Sequence, residues 1–355
     1  MKNLFIGIDV SKKTFDAVTI KAEGLQELME RMHGKFQNNA SGFKALMAWL
    51  KPISEDLEPE NWLFCAECMG DYSRKLADFV YSQGMDIWME NPYTIKHSSG
   101  LQRVKSDKAD ANGIAEYAMR HCDKMKAYEP LSGSVRRLRE VFLYRHKLMQ
   151  HKQALDIRDG GKEEFGTSDK IYKFMKRKTA KIIKEMEKAI EECDKKMKEI
   201  IESDPELANT FEIVTSMKGI AMQNAASLIV YTNNFKRFDF NARKIACYYG
   251  VAPFGKSSGT SINTRPRVSG FANRTIKAML TQAAQCAIRF CPDIRAYAER
   301  LRSKGKHYAV IVNNVCNKML AMLTAMVREN QKYNPDQQQK SREMFKKHLG
   351  MLNAC

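Results

Sequence analysis

Residues 3–20 read NLFIGIDVSKKTFDAVTI, and the fold turns on this stretch. Asn3 to Val10 is an apolar, β-branched run that ends in an aspartate, Asp9. SKKT then makes a turn, and FDAVTI (15–20) returns as a second strand, so the opening is a hairpin. Working outward, GKFQNN predicts a third short strand. SGFKALMAWL (41–50) predicts an amphipathic helix capped by Ser41. NWLFCAEC (61–68) is a fourth strand, DYSRKLADFVYSQG (71–84) a helix stopped by Gly84, and MDIWMEN (85–91) a fifth strand closed by Pro92. SDKADANGIAEYAMRHC (106–122) repeats apolar residues at helical spacing.

Three strands, helix, strand, helix, strand, helix is the order of a ribonuclease H-like fold, a mixed sheet opened by a hairpin and flanked by helices. The expected fold class is therefore α/β plus all-α. Residues 1–130 form the ribonuclease H-like domain. Residues 131–206 form a coiled-coil arm of two long charged helices (138–159 and 171–202), with a seam of Met186, Ile190, Cys193, Met197 and Ile200. A mainly helical domain follows at 207–333, then a polar tail at 334–355. Within the helical domain, IVTSMKGIAMQNAASLIVYT is helix, turn at Gly219, helix, and GKSSGTSINTRPRVSGF is a loop.

The chain has 355 residues and a formal charge of +18. Such an excess favours a polyanionic partner through counterion release. No apolar run approaches the roughly 20 residues of a membrane span, and MKNLFIGIDV does not read as a signal peptide. The nine cysteines are scattered, which suits a reduced, intracellular protein. Cys65 and Cys68 have half the spacing of a zinc site but no second half, and are expected as buried thiols in a strand.

Against this basic background four acids stand out. In the expected sheet the first and fourth strands are neighbours, so Asp9 and Glu67 approach each other. Asp107 and Asp110, three apart, share one helix face that can be aimed at the same place. Taken singly, each acid is better read as a cap, an ion-pair partner or a solvated group. Together, four converging carboxylates repel unless divalent cations neutralise them, and hard oxygen donors suit Mg2+, with Mn2+ as substitute.

IGIDVSKKTFD, ECMGDYS and VKSDKADA resemble the D-E-D-D motifs of the insertion-sequence-110 family of transposases, whose N-terminal domain resembles the junction resolvase RuvC. SMKGIAMQNAASLIVY, FKRFDFNARKIACYYGVAPF, KSSG and SGFANRTIKAMLTQAA are similar to that family's second domain. Lys218 and Ala221 stand where many members have proline and a second glycine. The resemblance runs from about residue 3 to about 330.

It implies that Asp9, Glu67, Asp107 and Asp110 are catalytic metal ligands. It also implies that a serine before a glycine in the loop after GVAP, matched by Ser258 with Ser257 as its rival, attacks a DNA phosphate. Read without the family, SSG is a turn. The resemblance further implies donor and target DNA, a structured guide RNA from the same element, a tetramer, and a bacterial cytoplasmic setting. Lys105, Lys256, Arg265, Arg267, Arg274 and Lys277 are the expected nucleic-acid contacts.

Three other readings compete. A junction resolvase or nuclease would use the acids without the serine. An actin-like sugar kinase would need glycine and threonine after Asp9, where Val10-Ser11-Lys12 stands. A nucleic-acid-binding protein would carry vestigial acids.

Overall fold

The computed structural model describes residues 2–23, 26–27, 31–54, 57–98, 100, 106–160, 169–258 and 262–335. The chain divides into two compact units, Met1–Pro130 and Leu131–Cys355. Lys105, residues 161–168 of the expected arm loop and the tail from 336 onward lie outside the described residues.

In the first unit, β1 (Leu4–Val10) and β2 (Thr14–Glu23) form the opening hairpin. Ser11 fastens its turn by donating its hydroxyl to the Thr14 carbonyl at 2.7 Å. β3 (Gln26–Glu27) and β4 (Met32–Gln37) both pair antiparallel with β2. The two-residue β3 has no apolar pattern to announce it. α1 (Ala40–Leu50) follows, capped not by Ser41 but by Asn39, whose side-chain oxygen accepts from the Gly42 N–H at 3.0 Å. Ser41 instead donates its hydroxyl to that same oxygen.

β5 (Trp62–Glu67), α2 (Asp71–Ser82), β6 (Asp86–Glu90), α3 (Pro92–Ser98) and α4 (Asp107–Arg120) complete the unit. Pro92 ends the sheet as expected, but it does so by starting a short helix. β5 runs parallel to both β1 and β6, so the sheet order is β3-β2-β1-β5-β6, with β4 also on β2. That is the ribonuclease H-like arrangement the element order predicted.

Strand alternation divides the core in two. Leu4, Ile6, Ile8 and Val10 of β1, with Trp62, Phe64 and Ala66 of β5, pack against Leu46, Leu50, Leu76 and Val80. Phe5, Leu63 and Cys65 point to the other face and pack against Ile114, Ala115 and Ala118 of α4. Cys68 lies past the end of β5 and is exposed, so only one of the two expected buried thiols is buried. Gly7 sits directly beneath α4. A Cβ there would fall 2.2 Å from the Ala115 nitrogen and 2.3 Å from the Ala111 oxygen, so only glycine admits the helix this close.

In the second unit, α5 (Gly133–Gly160) and α6 (Asp169–Glu202) are the expected long helices. Ile190, Cys193, Met197 and Ile200 are buried along the seam, and Met186 is half-buried. Arg145 grips Asp194 with two bonds, at 2.7 and 3.1 Å. At the base of the pair, Val135, Leu138, Phe142, Met197 and Ile201 share a core with Ala226, Ile229 and Val230.

α7 (Pro205–Thr215), α8 (Met222–Thr232), α9 (Ala242–Tyr248), α10 (Arg274–Phe290), α11 (Pro292–Ser303) and α12 (Tyr308–Arg328) form the helical body. Gly219 turns the chain between α7 and α8 at φ +102°. α12 has the length and hydropathy (1.4) of a membrane span, although the sequence reading found no such run. Its Ile311, Val315, Met319 and Leu323 are buried in the helical core.

Where the sequence reads as a loop, β7 (Pro253–Ser258) and β8 (Ile262–Val268) form an antiparallel hairpin. Glycines, serines and prolines hide it, because two strands that pair only with each other need no apolar alternation.

Candidate active site

The register of the sheet lines up charged residues on the face that α4 covers. Asp9 follows Phe5 and Gly7 on that face, and Glu67 follows Leu63 and Cys65. The β1–β5 register runs to Ile8 opposite Ala66, one step before the two acids. Asp9 is also opposite Asp16 of β2, and Asp16 is opposite Lys35 of β4. On the far side Glu67 is opposite Glu90 of β6. A row of five charged side chains, Lys35, Asp16, Asp9, Glu67 and Glu90, therefore crosses five strands.

Above this row begins α4. Ser106 caps it by accepting from the Ala109 N–H at 3.2 Å, and Asp107 and Asp110 occupy its first turn, where the helix dipole favours anions. Burial of Ala111, Ile114 and Ala115 fixes which face of the helix meets the sheet.

These acids feel one another. Partial burial, then Asp110, Asp107 and Asp16, push the Asp9 carboxyl up from 3.8 to about 6, with Lys35 opposing. Glu67 is likewise raised, by burial first and then by Asp9 and Asp110. Charge on the two strand-end acids is thus disfavoured by their position.

Lys35 supplies the cation the row has of its own. Its ammonium lies 3.2 Å from Asp16 and 3.4 Å from Asp107. The Asp16 hydrogen bond does most to raise the lysine's pKa. Asp16 is buried, and its second oxygen pairs with His33 Nε2 at 2.7 Å.

The sequence reading missed Asp16, His33 and Lys35. The signal for them was available: Asp16 is the residue that a tight SKKT hairpin sets opposite Asp9, and a third strand then brings the lysine of GKFQNN beside it.

Among the described residues no three His, Cys, Asp or Glu side chains form a ready metal-holding group. Asp9 is within electrostatic reach of Asp107 and Asp110, and Glu67 of Asp9 and Asp110, but the four do not form the converged ligand set that the sequence suggested. Their donor chemistry fits a hard divalent cation: carboxylate oxygens, two of them held where charge is unfavourable.

The second set of expected residues lies in the other unit. Ser258 ends β7 opposite Ile262, with Ser257 opposite Asn263 and Lys256 opposite Thr264. Arg265 and Arg267 are on β8, where Arg267 is opposite Phe254 and exposed. Arg274, at the start of α10, is exposed too. Lys277 is half-buried, and its ammonium donates to the Gly250 carbonyl at 2.9 Å, a bond within the domain.

Comparison with known proteins accords with both halves. A DEDD transposase model of the IS110 type matches residues 6–158. A second model, described as transposase IS116/IS110/IS902 family, matches residues 211–299. The chain belongs to the IS110 family of transposases.

Over 338 residues it is 25% identical to a pilin gene-inverting protein of Moraxella bovis, covering 94% of this chain and 98% of that one. The corresponding protein of Moraxella lacunata is equally similar. An insertion element IS110 protein of Streptomyces coelicolor is 32% identical over 121 residues, 34% of this chain and 29% of its own length. An IS110-family transposase is a DNA-binding, DNA-processing enzyme, and its DEDD nuclease-like domain implies use of divalent metal.

Proposed function

We propose that this protein cuts and rejoins the DNA strands of an insertion sequence, with Asp9, Glu67, Asp107 and Asp110 holding Mg2+ and Ser258 serving as nucleophile. The observation that carries the reading is the row of acids on the α4 face, where Asp9 and Glu67 are pushed toward protonation by burial and by their acidic neighbours. Carboxylates whose negative charge is disfavoured by their surroundings are relieved by a partner of high positive charge. A divalent ion bound there would polarise a phosphate and stabilise the departing oxygen.

Ser258 Oγ forms a bond to phosphorus as one backbone P–O bond of the DNA breaks, and the released DNA oxygen takes up a proton. The serine's own proton leaves to solvent or a nearby base. Attack by the hydroxyl of a second DNA strand then restores a phosphodiester and frees the serine, so no external energy source is needed.

Donor and target DNA are the substrates, and a structured guide RNA of the same element chooses them by base pairing, leaving the protein to read backbone and shape. The net charge of +18 suits that task. Four strands cut in two duplexes call for four serines, hence a tetramer. The basic residues of the β7–β8 hairpin and the start of α10, with Lys105, hold the nucleic acid.

A plain junction resolvase would share the acids. The full-length likeness to a protein named for gene inversion favours rejoining, since an inverted segment must be resealed. The experiment that decides is incubation with Mg2+, junction DNA and the RNA that flanks the element. A covalent protein–DNA adduct is expected, and Ser258→Ala abolishes it while Ser257→Ala keeps it. Continued cutting by Ser258→Ala without an adduct would make the enzyme a resolvase.

A further inference from the structure

A basic, exposed stretch outside these residues runs from the end of α10 through α11 to α12. Between 289 and 306 stand six arginines and lysines against two acids, Asp293 and Glu299. Asp293 is buried and accepts a hydrogen bond from the Tyr333 hydroxyl at 2.9 Å, so Glu299 is the one exposed carboxylate.

Three of the cations, Arg289, Arg295 and Arg302, line a cleft of about 340 Å³ with Glu299, over Ile288 and Ala298. Arg295 is held in place: its Nε donates to the Ile288 carbonyl at 3.4 Å, and its terminal nitrogen bonds the Arg289 carbonyl. Arg289 and Arg302 make no side-chain hydrogen bond or ion pair among the described residues, and Glu299 pairs with neither Arg295 nor Arg302 despite its helical spacing. In the second half of α6 the outcome differs, since Lys188, Lys196 and Lys198 each pair with a glutamate three or four residues away. A solvated helix face of mixed charge resembles that half of α6. Beside the arginines, Phe290 and Tyr308 are 62% and 49% exposed.

We propose that the Arg289–Arg295–Arg302 cleft binds a phosphate of a nucleic-acid backbone. Guanidinium groups meet phosphate oxygens with two parallel N–H bonds. A cleft with three of them and one carboxylate is short of negative charge, and a phosphodiester supplies it. The exposed rings of Phe290 and Tyr308 offer stacking surfaces for an unpaired base along the same stretch. The proposal rests on the chain's being a DNA-processing transposase and uses neither the acids nor the serine.

The test is fluorescence anisotropy of the full chain with a labelled DNA duplex and a labelled RNA hairpin of unrelated sequence, across a salt series. For the double substitution Arg289→Gln and Arg302→Gln, Kd should rise about tenfold and the slope of log K against log salt should fall by about one, the loss of one phosphate contact. Loss on one probe alone identifies which backbone occupies the cleft. Arg289→Lys with Arg302→Lys keeps the charge, so the slope returns while affinity stays about threefold weaker for want of the paired bonds. If the glutamine pair does not melt cooperatively, the lysine pair carries the test. Affinity and slope within about twofold of wild type on both probes would overturn the assignment. The glutamine and lysine pairs leave the four acids and the serine untouched, so a failure here is separate from a failure of the adduct experiment.

Discussion

The acids and the serine hairpin have opposite surroundings. Asp9 and Glu67 end strands whose preceding residues are buried, beneath a helix pressed so close that Gly7 cannot carry a side chain. The β7–β8 hairpin pairs only with itself, and Phe254, Val268 and Phe271 at its borders are exposed. A group of like charges comes together only when a core compels it, so that region is built rigidly. A nucleophile needs reach toward a large substrate, and this hairpin pairs with no other strand among the described residues.

The sharpest way to break this contrast is to fill the two glycines. Gly7→Val should destabilise the protein by at least about 3 kcal/mol, because the new atoms collide with α4 backbone that cannot move without opening the core. A Cβ at Gly255 would meet nothing within 4 Å, so Gly255→Ala should leave stability within about 0.5 kcal/mol of wild type. Thermal melting of both variants checks the pair.

Metal should matter next. Saturating Mg2+ at a hundred times its Kd should stabilise the wild type by about 2.7 kcal/mol and the Asp9→Asn variant by much less, read as shifts in Tm. Ser258→Ala should respond to the metal as wild type does.

Charge at Asp9 should itself weaken the fold. Its carboxyl is raised from 3.8 to about 6, so the folded state holds the proton more tightly than the unfolded chain. The resulting penalty is absent below pH 3.8, grows as pH rises through that window, and is complete above about 6. Asp9→Asn removes it, and without divalent metal should stabilise the protein at pH 7 by about 1 kcal/mol once the group's partial exposure is discounted. Denaturant melts at pH 4 and pH 7 would show the gain only at the higher pH, while strand transfer is lost at both.

The smallest effect belongs to Lys35. Lys35→Met removes the cation between Asp16 and Asp107, and should tighten Mg2+ binding by about threefold, since the ion then meets less competing charge. Titration of the metal against the two proteins measures it.

The first unit was legible because its sequence repeats at two clear periods. NLFIGIDV and NWLFCAE are strands by composition, and Ala111, Ile114, Ala115 and Ala118 fall at helical spacing. Once that order implies that strands one and four are neighbours, Asp9 and Glu67 follow. Asp16 and Lys35 were missed because their importance lies in register across three strands, which no single segment displays. Asn39 displaced Ser41 as a cap because both are good cap residues two positions apart, and only the backbone geometry chooses. The β7–β8 hairpin was hidden for want of any apolar face, and α12 went unnoticed as an apolar run because Asn313, Asn314, Asn317 and Lys318 interrupt it.

Binding of Mn2+ to the full-length protein, followed by the loss of its free-ion magnetic resonance signal, tests the shared site most directly. Asp9→Asn, Glu67→Gln and Asp110→Asn should each weaken binding by at least about tenfold, the behaviour of ligands to a common ion. Affinities that stay at the wild-type value in all three would mean that these carboxylates hold no common cation.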